Sequence, residues 1–183
     1  MDRLRREMTD FFQKLYVEEQ KILVFGEGKY PSRVALIGEA PGEQETLQGR
    51  PFVGRAGELL TKMIHAIGME RTEVYICNAV KCRPPGNRTP APEEMAACRP
   101  FLRAQVALVR PKIIVLLGAT AGRDVLGEDF RVTRDRGKWV ERKGVWIMPT
   151  YHPSALLRDE SLKRPAWEDF KLVRDKAREL LGG

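Results

Sequence analysis

Cys82 and Cys98 bracket a stretch dense in Pro, Gly, Asn and Arg, "RPPGNRTP". Two cysteines flanking such a loop could be two ligands of a metal or iron–sulfur site, and a four-cysteine site needs two more. The sequence has only one more, Cys77. Further candidates for chemistry are scattered along the chain. Asn78 offers a carboxamide, one acceptor beside one donor, which can pair bidentately with a base edge of complementary pattern; capping a loop is an equal use of such a residue. His152 lies in "YHPSALLR" beside Pro153. Lone histidines are more often structural than catalytic, but this one is a better candidate than His65, which falls on an amphipathic helical pattern. "GEAPGEQE" (38–45) would let backbone approach a ligand at Gly38, Ala40 and Gly42. It has no Lys-Ser/Thr to make a phosphate loop and does not fit the dinucleotide fingerprint. In "GRPFVGRAG" (49–57), Phe52 stands between glycines and arginines, where it could plug a core or stack on a flat ring.

The elements that must position these residues follow from the hydrophobic pattern. Leu4, Met8, Phe11 and Phe12 have helical spacing. "KILVFGEG" is a short apolar run stopped by glycines. "RVALIGEA", "VYICNAV", "KIIVLLG" and "VWIMPTYHPS" read as four buried strands. Between them, "GRAGELLTKMIHAIGM", "TPAPEEMAACRPFLRAQVALV" and a segment from Ala119 read as helices, and "PAWEDFKLVRDKARELL" closes the chain. Continuous apolar strands alternating with helices imply a parallel sheet covered on both faces. Ligands of such sheets gather outside the carboxyl ends of the strands. The strand ends carry "GEAPG", "NAVKC", "LGAT" and "YHPS", so the distinctive residues converge on one edge.

The 183 residues suit one compact domain spanning 1–183. No apolar run is long enough to span a membrane, and the charged first residues lack a secretory signal. Three cysteines make no disulfide framework, which suggests a reducing, cytoplasmic setting. A net charge of +7 favours an acidic partner, nucleic acid foremost. "RVTRDRGKWVERKG" (131–144) concentrates six basic residues and reads as a basic hairpin suited to phosphate contacts.

Taken together, "GEAPGEQE", "GRPFVGRAG", "NAVKCRPPGNRTP" and "YHPSALLR" resemble the family 4 uracil-DNA glycosylases, in order and in spacing, from Val24 to the closing helix. The resemblance implies a three-layer α/β/α fold around a four-stranded parallel sheet. It implies a DNA-repair enzyme that flips deoxyuridine from single- or double-stranded DNA and hydrolyses its N-glycosidic bond. In that reading Phe52 stacks on uracil, Asn78 reads N3–H and O4, and His152 donates to O2 as charge develops, with backbone contacts from Gly38 and Ala40. The loop with Ser154, Leu156 and Arg158 enters the minor groove, Leu156 as an apolar wedge and Arg158 near phosphate, with Arg88 a further DNA contact.

Three departures follow from the resemblance. The water-positioning aspartate of family 1 is matched by Ala40, and that family's thymine-blocking tyrosine by Gly42. Glu39, Glu45 and Asn87 are then the candidates to hold the attacking water, Glu45 also narrowing the pocket against thymine. The family's [4Fe–4S] cluster uses four cysteines, of which Cys82 and Cys98 match two. The other two should fall near Phe11 and Lys14. No cofactor is therefore expected, with Phe11 or Phe12 packing in the cluster's place; the alternative is an atypically ligated cluster on Cys82 and Cys98. The expected state is a monomer associated with the nucleoid. Competing functions are a catalytically weak sensor of damaged DNA and a glycosylase of shifted scope, for hypoxanthine or xanthine. No basic insertion near "GEQETLQGRPF" suggests covalent trapping of abasic DNA.

Overall fold

The computed structural model describes residues 1–16 and 21–182. Its centre is a parallel sheet of β2 (Val34–Gly38), β3 (Tyr75–Asn78), β4 (Ile113–Leu117) and β6 (Val145–Thr150), ordered β3-β2-β4-β6. Every residue of β2, β3 and β4 is buried, as parallel strands covered on both faces require. The expected four strands are present, and the sheet is larger than expected. Two short strands, β1 (Glu27–Gly28) and β5 (Val140–Arg142), extend it antiparallel at the two edges. β1 grows from the run "KILVFGEG". β5 hairpins onto β6 through Lys143 and Gly144, both at positive φ, the geometry of a two-residue turn matched to strand twist.

Side chains alternate along the strands into two cores. Ala35, Ile37, Cys77, Ile114 and Leu116 face one side, with α1 (Asp2–Leu15), α4 (Pro92–Val109) and α5 (Ala119–Leu126). Leu36, Ile76, Ile113, Val115 and Leu117 face the other, with α3 (Arg55–Ala66) and α8 (Lys163–Leu181). The result is a three-layer α/β/α arrangement. Cys77, 2% exposed, is a core side chain as its strand position suggested. In α1, Leu4, Met8 and Phe12 recur four apart and form the buried stripe. Phe11 is 40% exposed and only flanks it.

α3 and α4 lie on opposite faces because the chain reverses direction across the sheet. From β2 it moves outward to β3, then returns past β2 to β4. The crevice beyond the carboxyl ends of β2 and β4 is the switch point at which open α/β sheets take ligands.

The 131–144 segment corrects an expectation. It is not itself a hairpin: a one-turn helix α6 (Val132–Asp135) precedes β5. Its arginines are committed internally. Arg134 pairs with Asp135, Arg142 donates to the Val125 carbonyl, and Arg136 grips the buried Asp169 at 2.9 Å. Asp169 also accepts the Thr150 hydroxyl, tying α8 to the end of β6.

Candidate active site

A cleft of about 660 Å³ opens at the switch point. Glu39, Ala40, Gly42 and Glu45 line it from the β2 exit, Asn78 from β3, Gly118 from β4, and His152, Ser154 and Arg158 from the β6 exit. Phe52, Asn87 and Arg88 complete the wall. Gly38 and Leu156 are the two candidate residues outside the lining. Gly38 serves by being small: a Cβ there would run into the Phe52 ring and Asn78 Oδ1.

Asn78 is 2% exposed, and its Oδ1 has no hydrogen-bond partner among the described residues. A buried unsatisfied acceptor costs roughly 1–3 kcal/mol. The amide is therefore held ready for something that donates. The buried Gln105 Oε1 is also unpaired, but there the Nε2 of the same amide is engaged by Phe25 O and Tyr75 Oη, which fixes it as a structural bridge.

Phe52 adopts φ 51°, an uncommon conformation for a bulky residue, so its surroundings must enforce it. Glu45 Oε1 accepts the amides of Val53 and Gly54, each at 3.1 Å. From the other side the Arg71 guanidinium donates to the carbonyls of Pro51 and Phe52, to Thr61 and to Glu27. Gly57 is required beneath, since a Cβ would collide with the Phe52 backbone. The ring so placed lies near-parallel to His152, 5.5 Å between centroids.

His152 caps α7 (Pro153–Arg158), its Nδ1 accepting the Ser154 amide at 3.0 Å. The Ser154 hydroxyl lies 2.8 Å from the same nitrogen. The single proton of the neutral ring is thereby assigned to Nε2. Burial, reinforced by the Arg158 charge, pulls the imidazole down to about 4, against the opposing pull of Glu45. The ring is neutral at neutral pH and remains a donor through Nε2. Gly118, at φ 95°, permits this: a Cβ there would sit 2.9 Å from His152 Cβ.

The three water-holding candidates differ. Glu39 accepts the Thr120 hydroxyl in a short bond at the start of α5. Glu45 has one oxygen occupied by the Phe52 loop, and its other faces Gly42. Asn87, at φ 55°, accepts Arg83 at 2.7 Å.

One expected DNA contact is corrected. Leu156 is 1% exposed and packs in the core with Leu60 and Ile64, so it is no outward wedge. Pro153 and Leu156, three apart on α7, form the helix's buried face. The neighbouring Leu157, 38% exposed, is the outward leucine. Arg88 is held by Glu94 at 2.8 and 3.0 Å. Ser154 serves the His152 ring. Arg158 is exposed, lines the cleft and has no ion pair among the described residues. His65 sits on the α3 surface, 2.9 Å from Glu70. The sequence places Gly118 and Thr120 at this edge within "LGAT" but not their contacts with His152 and Glu39, and Arg71 gives no signal because its partners are distant.

Cys82 and Cys98 are buried in the α1–α4 core with Phe12 and Met8. Burial pushes the Cys82 thiol up to about 12, with Cys98 beside it adding to the effect, and raises Cys98 likewise. Cys98 Sγ accepts the Lys81 amide at 3.4 Å. Phe12 packs on Tyr16 and Phe101, at 5.9 and 5.8 Å. Lys14 points to solvent. Among the described residues no group of three or more His, Cys, Asp or Glu could hold a metal ion. Two buried thiols against an aromatic wall do not fit a four-thiolate cluster.

A doubly wound sheet with a cleft at its switch point that gathers Asn78, Phe52 and His152 defines a class, and comparison with known proteins makes it specific. The profile of the uracil DNA glycosylase superfamily matches residues 25–171, and the chain belongs to that superfamily. It is 50% identical over 156 residues to a type-4 uracil-DNA glycosylase of Thermotoga maritima, covering 83% of this chain and 81% of that one. It is 47% identical to a type-4 enzyme of Sulfurisphaera tokodaii, covering 83% and 73%. A type-5 uracil-DNA glycosylase of Pyrobaculum aerophilum is 36% identical, covering 70% and 64%. No helix among the described residues is long and apolar enough to cross a membrane.

Proposed function

We propose that the protein removes uracil from DNA by hydrolysing the N-glycosidic bond, leaving an abasic site. The observation that carries this reading is Asn78: a buried amide with its Oδ1 unpaired, beside an aromatic ring and a neutral imidazole. Uracil presents N3–H beside O4. Asn78 Oδ1 accepts from the first and Nδ2 donates to the second. Cytosine, with an acceptor at N3 and a donor at N4, would face like against like and is refused. Phe52 stacks on the flipped ring. As the glycosidic bond lengthens, negative charge grows on the base, and His152 Nε2–H donates to O2. A donor aimed at charge that appears only in the transition state accelerates the step.

The sugar left behind resembles an oxocarbenium ion and needs only a positioned water. We assign that water to Glu39 or Asn87, and to Glu45 the task of holding the Phe52 loop. Arg158, and Leu157 in place of Leu156, are the side chains offered to DNA from α7. We further propose that residues 1–183 act as one domain and as a monomer, on single- or double-stranded DNA, in the cytoplasm. No cofactor takes part in these steps.

An oligonucleotide with a single deoxyuridine tests the reading. The wild-type protein should convert it to an alkali-labile product; binding without excision would establish the damage-sensor reading instead. Parallel substrates with hypoxanthine or xanthine test the scope: both also present an N–H beside a carbonyl to Asn78, so excision of either would establish the shifted-scope reading.

A further inference from the structure

Lys81 has no exposed surface and is among the largest fully buried side chains. Its Nζ donates to the Asn78 carbonyl at 2.6 Å and reaches the Cys77 thiol. Its own backbone is pinned: the amide donates to Cys98 Sγ and the carbonyl accepts the Val24 amide at 2.8 Å. No carboxylate pairs with it among the described residues. An amine taken out of water without a counter-ion is expensive, and an apolar side chain of the same volume would be cheaper to bury. Such a group is kept for what it does to its acceptor, and here the acceptor is the main chain of the residue with the orphaned amide.

The geometry around Asn78 sharpens this. The amides of Ala79 and Val80 donate to the carbonyls of Gly38 and Glu39, both at 2.9 Å, so the backbone after β3 is laid along the exit of β2. Lys81 then folds its side chain back onto the strand's last carbonyl. The 78–79 peptide is held by the Ala79 amide on one side and the Asn78 carbonyl on the other. Asn78 Oδ1 has no such tether, so the side chain takes its orientation from the backbone that carries it.

We propose that Lys81 is a positioning residue for base recognition: it fixes the Asn78 peptide so that the amide meets the uracil edge in register. The proposal rests on the reading of Asn78 as the base-reading residue. A double-mutant cycle tests it, using single-turnover excision by wild type, Lys81→Met, Asn78→Ala and the double variant. Lys81→Met should slow excision about tenfold, roughly 1.4 kcal/mol, while affinity for the DNA is unchanged. In the Asn78→Ala background the same change should cost about twofold or less. Lys81→Gln, which keeps a donor, should recover part of the loss. Equal losses in both backgrounds, or none in the first, overturn the proposal. If Lys81→Met does not fold, the wild-type protein gives the answer by nuclear magnetic resonance. On titration with free uracil, the Lys81 Cε resonance should move with the Asn78 side-chain amide; a stationary Lys81 beside a shifting Asn78 overturns the proposal. A wild-type protein that leaves uracil in DNA would instead refute the function itself, so the two failures are distinct.

Discussion

The crevice at the carboxyl ends of the strands and the α1–α4 face lie on either side of the same β3 exit, yet they obey different rules. In the crevice the protein tolerates an unpaired buried oxygen at Asn78, a positive φ at Phe52 and an imidazole that resists protonation. On the α1–α4 face, Phe12, Phe101, Met8 and Cys98 satisfy one another by packing. Strain and unmet hydrogen bonding mark the place where a ligand completes the structure, whereas good packing marks a place already complete. The family pattern suggested a four-cysteine site on that second face. This chain holds two of those cysteines within an aromatic core.

The contrast predicts that activity and stability separate. Asn78→Ala and His152→Ala should each lower excision by on the order of a hundredfold to a thousandfold, as loss of a donor to a developing anion does. Asn78→Ala should raise the melting temperature slightly by removing the orphaned acceptor, and His152→Ala should lower it only by the loss of the α7 cap, about 1 kcal/mol. Phe12→Ala should do the reverse, destabilising by about 3–5 kcal/mol in chemical denaturation while excision per folded molecule is retained. If Phe12→Ala abolished excision in fully folded protein, the two regions would not be independent. Purified protein should also be colourless; iron bound in a stoichiometric amount would break the comparison from the other side.

The sheet was legible because four apolar runs were long and uninterrupted, and the cleft because Asn78, His152 and the 38–45 loop stand where strands stop. β5 was hidden by its charges: "VER" has too little apolar character to announce a strand, and only pairing with β6 makes it one. The basic stretch misled for a related reason. Composition counts Arg136 as a free cation, but its partner Asp169 lies 33 residues away on α8. The reading of Leu156 as an outward wedge rests on the family resemblance alone, which says nothing of how this segment packs. The six-residue helix from Pro153 to Arg158 instead turns Leu156 inward against α3. Lys81 gave no signal at all, since a lysine in a sequence reads as surface.

Arg71 sharpens the comparison at intermediate scale. It belongs to neither region, yet its guanidinium holds the Pro51 and Phe52 carbonyls from behind the cleft. Arg71→Met should release the loop, slowing excision about tenfold through a misplaced aromatic ring. Arg71→Lys should do nearly as badly, because one ammonium cannot span the same fork of acceptors. A rate unchanged in both variants would show that Glu45 alone fixes Phe52.

The smallest expected effect concerns pH. An ordinary histidine, titrating near 6.5, would lose about nine-tenths of its neutral form by a pH one unit lower. His152 titrates at about 4, so its Nε2–H donor stays on an uncharged ring well below neutrality. Single-turnover excision should therefore show no inflection near 6.5 that the His152→Ala variant lacks. Stability gives the complementary sign. The unfolded chain binds a proton at this residue below about 6.5, whereas the folded protein refuses it until about 4. Stability is full above the unfolded value and falls as the pH drops through that window. His152→Ala should flatten this part of the profile, read as the difference between denaturation midpoints at the two ends of the window. A wild-type profile as flat as the variant's would mean that His152 is solvated in the folded state, and the crevice would then lose the dryness on which its contrast with the α1–α4 face rests.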